Sequence, residues 1–415
     1  MWNRLLESLR SNRVLLSLCV TTFFIMIGQG IISPIMPLYV KSFGISVTLV
    51  GVAIGMFGFA RLIANIPIGY VAQRYGKRVL LVGGPVVSAA AALLMAFASS
   101  YPELIAYRFL SGLGSAMYVT GSVIYIADVA GTHNRARYLS LQEGSIVFGG
   151  SIGPVVGGLT ADLWGLRAPF LFLAGFCLVG IYLAWTQMPE VKPTPSAVPA
   201  ASPGKPPAAR TGVLQILRDP TFFLIGLFGL TIFLTRTGGR GSIIPLLATT
   251  KAGLSATEVG IVFTIESLTA FATMLPAGIL SDRLGRKVVV LPAAFAILVG
   301  LVLFTVAQGL GMYIVAGIVL GLGIGIAGST PPAWAADRAR AGNVGVTMGL
   351  YRTFGDAGNI IGPVLLGWIA DTFSFESALL TNGALVLAAA LPLWLVGRES
   401  VRRHSETQKA GERHQ

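Results

Sequence analysis

Apolar runs of about 20 residues or more, the length that roughly 30 Å of hydrocarbon requires of a helix, alternate with short polar breaks along the chain. They fall near 14–40, 47–72, 79–99, 102–127, 137–163 and 168–188. After a longer break they resume at 220–248, 255–280, 288–308, 311–336, 343–371 and 374–397. The pattern predicts an all-α integral membrane protein with twelve spans, six on each side of the break. The break itself, around 187–212, is dense in Pro, Ser, Ala and Gly and reads as an extended linker. Two places inside the runs look ready to depart from a plain helix. Span one holds Gly28-Gln29-Gly30 followed by Pro34 and Pro37, which predicts a kinked or broken outer half. Span seven ends in Arg236-Thr237-Gly238-Gly239-Arg240-Gly241, which predicts an interruption.

Composition agrees with lipid as the solvent: 54% of the 415 residues are hydrophobic and only 11% are charged. Lys and Arg are distributed by side. The loops at 73–78 and 283–287, their alternates, both tails and the linker hold 22 of them, whereas Lys41, Arg167 and Lys251 are the three on the other side. The positive-inside rule therefore puts both termini in the cytoplasm of a multi-pass protein of the inner (plasma) membrane. The net charge of +13 is then a consequence of topology, and no nucleic-acid partner is needed. Cys19 and Cys177 both sit inside predicted spans, which argues against a disulfide scaffold or a thiolate metal site. No cofactor is expected. His133, His404 and His414 lie in a loop and the tail, so no intramembrane histidine relay is available.

The chain repeats itself. Gly69 to Arg78 recurs as Gly278 to Lys287 at an offset of 209 residues, Gly153-Pro154 with Asp162 recurs as Gly362-Pro363 with Asp371, and Gly112 with Asp128 recurs as Gly321 with Asp337. A duplication in a membrane chain is the internal symmetry of secondary transporters. The predicted layout is an N-terminal six-helix half at 1–186, a cytoplasmic linker at 187–217, a C-terminal six-helix half at 218–397 and a cytoplasmic tail at 398–415.

The repeated turn also carries a resemblance. Gly278-x-x-x-Asp282-Arg283-x-Gly285-Arg286-Lys287 resembles motif A of the major facilitator superfamily in full, and the copy at Gly69 departs from it only where Gln73 replaces the aspartate. Leu104 with Arg108, Gly112, Gly114 and Ala116 resembles motif B, and Gly144, Gly149, Gly153, Pro154, Gly157 and Gly158 resemble motif C, which in that superfamily accompanies drug and metabolite antiporters. The resemblance implies two six-helix bundles related by a pseudo-two-fold axis. It implies gate roles for Gln73, Arg74, Lys77, Asp282, Arg283 and Arg286, with Lys77 pairing to Asp128 and the basic residues of the second copy reaching lipid phosphates or Asp337. It also assigns Arg108 to coupling. Many multidrug members place a carboxylate in span one, and this chain has none.

Ionisable residues inside spans are functional candidates because each is costly in hydrocarbon. Eight qualify: Arg61, Arg108, Glu143, Arg236, Arg240, Glu266, Arg352 and Asp356. Arg352 and Asp356 are one helical turn apart and able to pair, whereas Arg236 and Arg240 at the same spacing would repel. Glu266 has no counterpart in the first half, where Phe57 stands. Glu266 has no partner in its own helix and is the first choice for a coupling proton, ahead of Asp356 and Glu143. Arg236, Arg240, Arg108 and Arg352 with Gln29 are the expected substrate contacts. The absence of a G-x-x-x-x-G-K-[ST] loop argues against direct ATP drive, and no nucleophile with a nearby base suggests an enzyme. The expected function is proton-coupled efflux of a small organic compound by a monomer using alternating access. Proton-coupled import of an organic anion is the alternative, and a passive channel a third reading.

Overall fold

The computed structural model describes residues 13–129, 135–189, 213–339 and 344–399. Long helices and short turns account for nearly all of it, as lipid demands of a backbone whose N–H and C=O groups find no water. The helices are α1 (Arg13–Lys41), α2 (Val47–Tyr75), α3 (Lys77–Ala96), α4 (Tyr101–Val129), α5 (Arg135–Trp164) and α6 (Ala168–Gln187). A five-residue helical segment at Val213–Leu217 precedes α7 (Pro220–Thr250). Then come α8 (Ala256–Leu284), α9 (Arg286–Val306), α10 (Gly309–Arg338), α11 (Val344–Thr372) and α12 (Phe375–Val396). Eleven of the twelve are long and apolar enough to cross a membrane. The exception, α11, is just as long at 29 residues but carries Arg352 and Asp356 in its middle.

Span one is not broken. Helix α1 runs through both Pro34 and Pro37 without interruption, and the same tolerance of proline recurs in most of the other spans. The turns between paired helices are short: Gly76 and Gly285, with φ of 87° and 106°, connect α2 to α3 and α8 to α9. Both are repeat-related glycines of the basic turn, and only a residue without Cβ adopts that backbone at no steric cost.

The chain folds into two compact units. One comprises Met1–Ser196 with Ala248–Thr264, and the other Ala197–Leu247 with Ile265–Gln415, so boundaries fall inside both α7 and α8. In the first, α1 packs on α5 and α6, α3 on α4 and α6, and α2 on α4. In the second, α7 packs on α11 and α12, and α9 on α10 and α12. Four of these pairs correspond once 209 residues are added. The correspondence extends to atomic contacts, because a Cβ on Gly112 would stand 2.5 Å from the Phe57 carbonyl oxygen and one on Gly321 would stand 2.5 Å from that of Glu266. These glycines let α4 approach α2, and α10 approach α8, to backbone contact. Phe57 and Glu266 are thus structural equivalents, one apolar and one ionisable.

Candidate functional site

Helix α7 changes character where its sequence becomes Thr-Arg-Thr-Gly-Gly-Arg-Gly-Ser-Ile: Thr235–Ile243 forms a π-helix. The Ile244 N–H donates to the Gly239 carbonyl, five residues back. Segments of this kind are rare and concentrate at functional positions. The interruption expected from the glycines is therefore a widening of the helix rather than a gap in it. Across from it stands Asn382 of α12, fully buried. The Thr235 hydroxyl lies 2.9 Å from both the Asn382 Oδ1 and the Thr231 carbonyl, and donates to one of the two at a time. The Asn382 Nδ2 has no hydrogen-bond partner among the described residues and lies 2.4 Å from the place where a Cβ on Gly239 would stand.

The π segment aims Arg240 at α8. Its guanidinium forms an ion pair with Glu266 through Nε and Oε2, and its Nη2 donates to the Ser267 Oγ at 3.0 Å. Glu266 is only 3% exposed and Arg240 is half-buried. Glu266 has no partner in its own helix, but the structure supplies one from another helix, 26 residues earlier in the chain. The expected repulsion between Arg236 and Arg240 is also resolved by geometry. Arg240 turns into its carboxylate, while Arg236 is exposed, its guanidinium 5.9 Å from the Phe233 ring.

The remaining candidates are spread over both units. On α11, Arg352 is exposed and Asp356 half-buried. In the first unit, Gln29 is half-buried with an Nε2 that finds no hydrogen-bond partner among the described residues. Arg108 is buried, its Nε 3.4 Å from the Ala53 carbonyl and its guanidinium 5.0 Å from the centre of the Phe57 ring. Arg61 approaches the same ring at 5.9 Å. Glu143 on α5 is exposed.

The basic turns form ion-pair clusters as the resemblance implies. Lys77 pairs with Asp128. Arg286 bonds to Asp282 at 2.5 Å and to Asp337 at 3.0 Å, so it gathers the ends of α8, α9 and α10. Arg74 and Arg283 are exposed, the former 5.5 Å from the Tyr75 ring, and the side chain of Gln73 lies outside the described residues. Two further carboxylates have no signature in the sequence. Glu399, in the predicted tail, accepts from the backbone N–H groups of Arg286 and Lys287 at 2.9 and 3.0 Å, satisfying first-turn donors of α9 that have no partner within the helix. Asp219 caps α7 through the Thr221 N–H and is held by Arg338 at 2.6 Å.

This fold, with ionisable side chains inside its spans, defines a multi-pass membrane transporter. The family model of the Major Facilitator Superfamily matches residues 18–238 and 230–414, and the chain belongs to that family. It is 25% identical over 405 residues to Multidrug resistance protein 1 of Bacillus subtilis, an alignment covering 93% of this chain and 99% of that one. It is 26% identical over 375 residues to the inner membrane transport protein YajR of Escherichia coli, covering 89% and 79%. Among solved structures, a bacterial homologue of the human lysosomal transporter Spinster, in an inward-facing and unoccupied conformation, superposes with a TM-score of 0.78 at 16% identity, covering 94% of this chain and 97% of that one. Members of the family are transporters, and this chain is not an enzyme.

Proposed function

We propose that this transporter exports a small organic compound in exchange for protons, by alternating access between the halves 1–186 and 218–397. The observation that carries the reading is the Arg240–Glu266 ion pair inside the second unit. A guanidinium that is already paired binds a substrate group only if its carboxylate lets go. Proton binding at Glu266 and binding of an anionic or strongly hydrogen-bond-accepting group at Arg240 each break the same pair, so each alters the affinity of the site for the other. That linkage is the coupling a proton-driven transporter requires, and its sense is read from the vesicle experiment below. The motif C glycines and the relative named for multidrug resistance support export.

The test is a thermal-shift screen of purified protein against anionic, neutral and cationic compounds, since a ligand that binds only the native state raises apparent stability. Hits then go to proteoliposomes with an imposed pH gradient. Export predicts accumulation in vesicles whose lumen is acidic and which expose the cytoplasmic face. Accumulation driven by a proton gradient of the opposite sense would indicate import, and flux indifferent to the gradient would indicate a channel.

The proposed topology places both termini in the cytoplasm. In a background lacking Cys19 and Cys177, single cysteines at Lys205 and Lys251 are expected to react with an impermeant thiol reagent from opposite sides of the membrane. Reaction of both from the outside would reverse or abolish the assignment.

A further inference from the structure

The N-terminus of α8 is capped twice. Ser255 and Glu258 form a reciprocal capping box: the Glu258 N–H donates to the Ser255 Oγ at 3.2 Å, and the Ser255 N–H donates to the Glu258 Oε2 at 2.8 Å. That pair is sufficient to begin the helix. The next two orphan donors go elsewhere. Ala256 N–H donates to the Asp162 Oδ1 at 3.1 Å and Thr257 N–H to the Asp162 Oδ2 at 2.8 Å. Asp162 ends α5, which belongs to the first sequence repeat, whereas α8 belongs to the second.

The seam below this contact is built for close approach. A Cβ on Gly158 would stand 2.2 Å from the Ala256 carbonyl oxygen, and one on Gly260 would stand 2.3 Å from that of Pro154. Pro154, Gly158 and Asp162 recur every fourth residue, so one face of α5 meets α8 backbone to backbone and finishes in a carboxylate. Beyond the seam α8 continues unbroken to Glu266, nine residues past Thr257 and so about 13 Å along the axis.

We propose that Asp162 is a releasable latch: its carboxylate, gripping two backbone donors at the positive end of α8, holds the Trp164 end of α5 against α8, and each transport cycle must break it. The inference rests on the alternating-access reading. The chemistry suits a latch because both bonds are charge-assisted and sit on an exposed side chain, where water replaces them without leaving an orphaned group. A capping box that survives release keeps α8 helical while its contact with α5 opens.

The test uses the full chain without Cys19 and Cys177, with spin labels at Trp164→Cys and Lys251→Cys, both exposed positions of the first unit. The parent is expected to give a dominant short distance. Asp162→Ala should raise the ratio of long to short distances about ten-fold, the loss expected for charge-assisted hydrogen bonds. Asp162→Asn, which keeps the shape and one acceptor oxygen, should give a smaller rise in the same direction, and Asp162→Glu should remain near the parent. Unchanged distributions in the Ala and Asn variants overturn the latch, even if transport is lost. Transport by the labelled parent in proteoliposomes is read separately. A parent that never transports, with the Asp162→Ala shift intact, sinks the exchanger and leaves the latch standing.

Discussion

Glu266→Gln abolishes proton-driven accumulation while substrate binding and counterflow exchange remain measurable: this is the result expected if Glu266 carries the coupling proton. The amide keeps the size and a hydrogen-bond acceptor for Arg240 but has no proton to cycle, so substrate movement is no longer linked to proton movement. Arg240→Ala is expected to do something different. Removing one partner of a buried pair leaves an uncompensated charge, a loss of about 3–5 kcal/mol in comparable sites, and Glu266 is almost wholly buried. The variant should therefore unfold at lower temperature and bind substrate weakly. Arg240→Met combined with Glu266→Leu removes both charges and is expected to recover most of the stability and none of the transport. A double-mutant cycle on unfolding isolates the pair's own coupling. If Glu266→Gln still concentrates substrate against its gradient, the proton travels elsewhere, and Asp356→Asn and then Glu143→Gln are the variants to assay next.

The spans and the duplication were legible because lipid imposes a length and a polarity that any run of sequence displays directly. Repeat-related glycines were legible for a similar reason: a backbone contact tolerates one residue type, so both copies keep it at Gly112 and Gly321. The ion pairs of the basic turns could be anticipated from the family pattern, and Lys77 with Asp128 and Arg286 with Asp337 are found as expected. The pairing of Arg240 with Glu266 was hidden because it joins two helices, and helical spacing speaks only for neighbours along one. Its geometry also depends on a π segment, which moves Arg240 off the face that an α-helical count assigns. Asn382 is hidden for another reason: an uncharged amide does not stand out in an apolar span as an ionisable residue does, yet once buried it has donors and acceptors that must also be met. Glu399 leaves no local pattern, since its carboxylate lies 2.9 Å from a donor at the start of α9 in space but 113 residues from it in sequence.

Gly239→Ala is expected to slow transport roughly ten-fold or more, and Asn382→Ala to restore much of the loss when the two are combined. The new methyl would meet the Asn382 Nδ2 at 2.4 Å, and overfilling a packed interior costs about 1–3 kcal/mol, with about 1.4 kcal/mol already a factor of ten in rate. Asn382 is fully buried and committed to Thr235, so its amide has little room to swing aside. The cheaper response is for the π segment to yield, which turns Arg240 away from Glu266. Asn382→Ala alone is expected to be mild, because the Thr235 hydroxyl keeps the Thr231 carbonyl as its acceptor and an amide donor without a partner is removed. The combined variant supplies a methyl at Gly239 and the space to hold it. Initial rates in proteoliposomes, with thermal unfolding of each variant as the folding control, decide the matter. Failure of the second substitution to rescue the first would show that the damage comes from alanine's preference for an α-helix over the wider turn, worth about 1 kcal/mol relative to glycine, and that Asn382 does not shape the segment that presents Arg240.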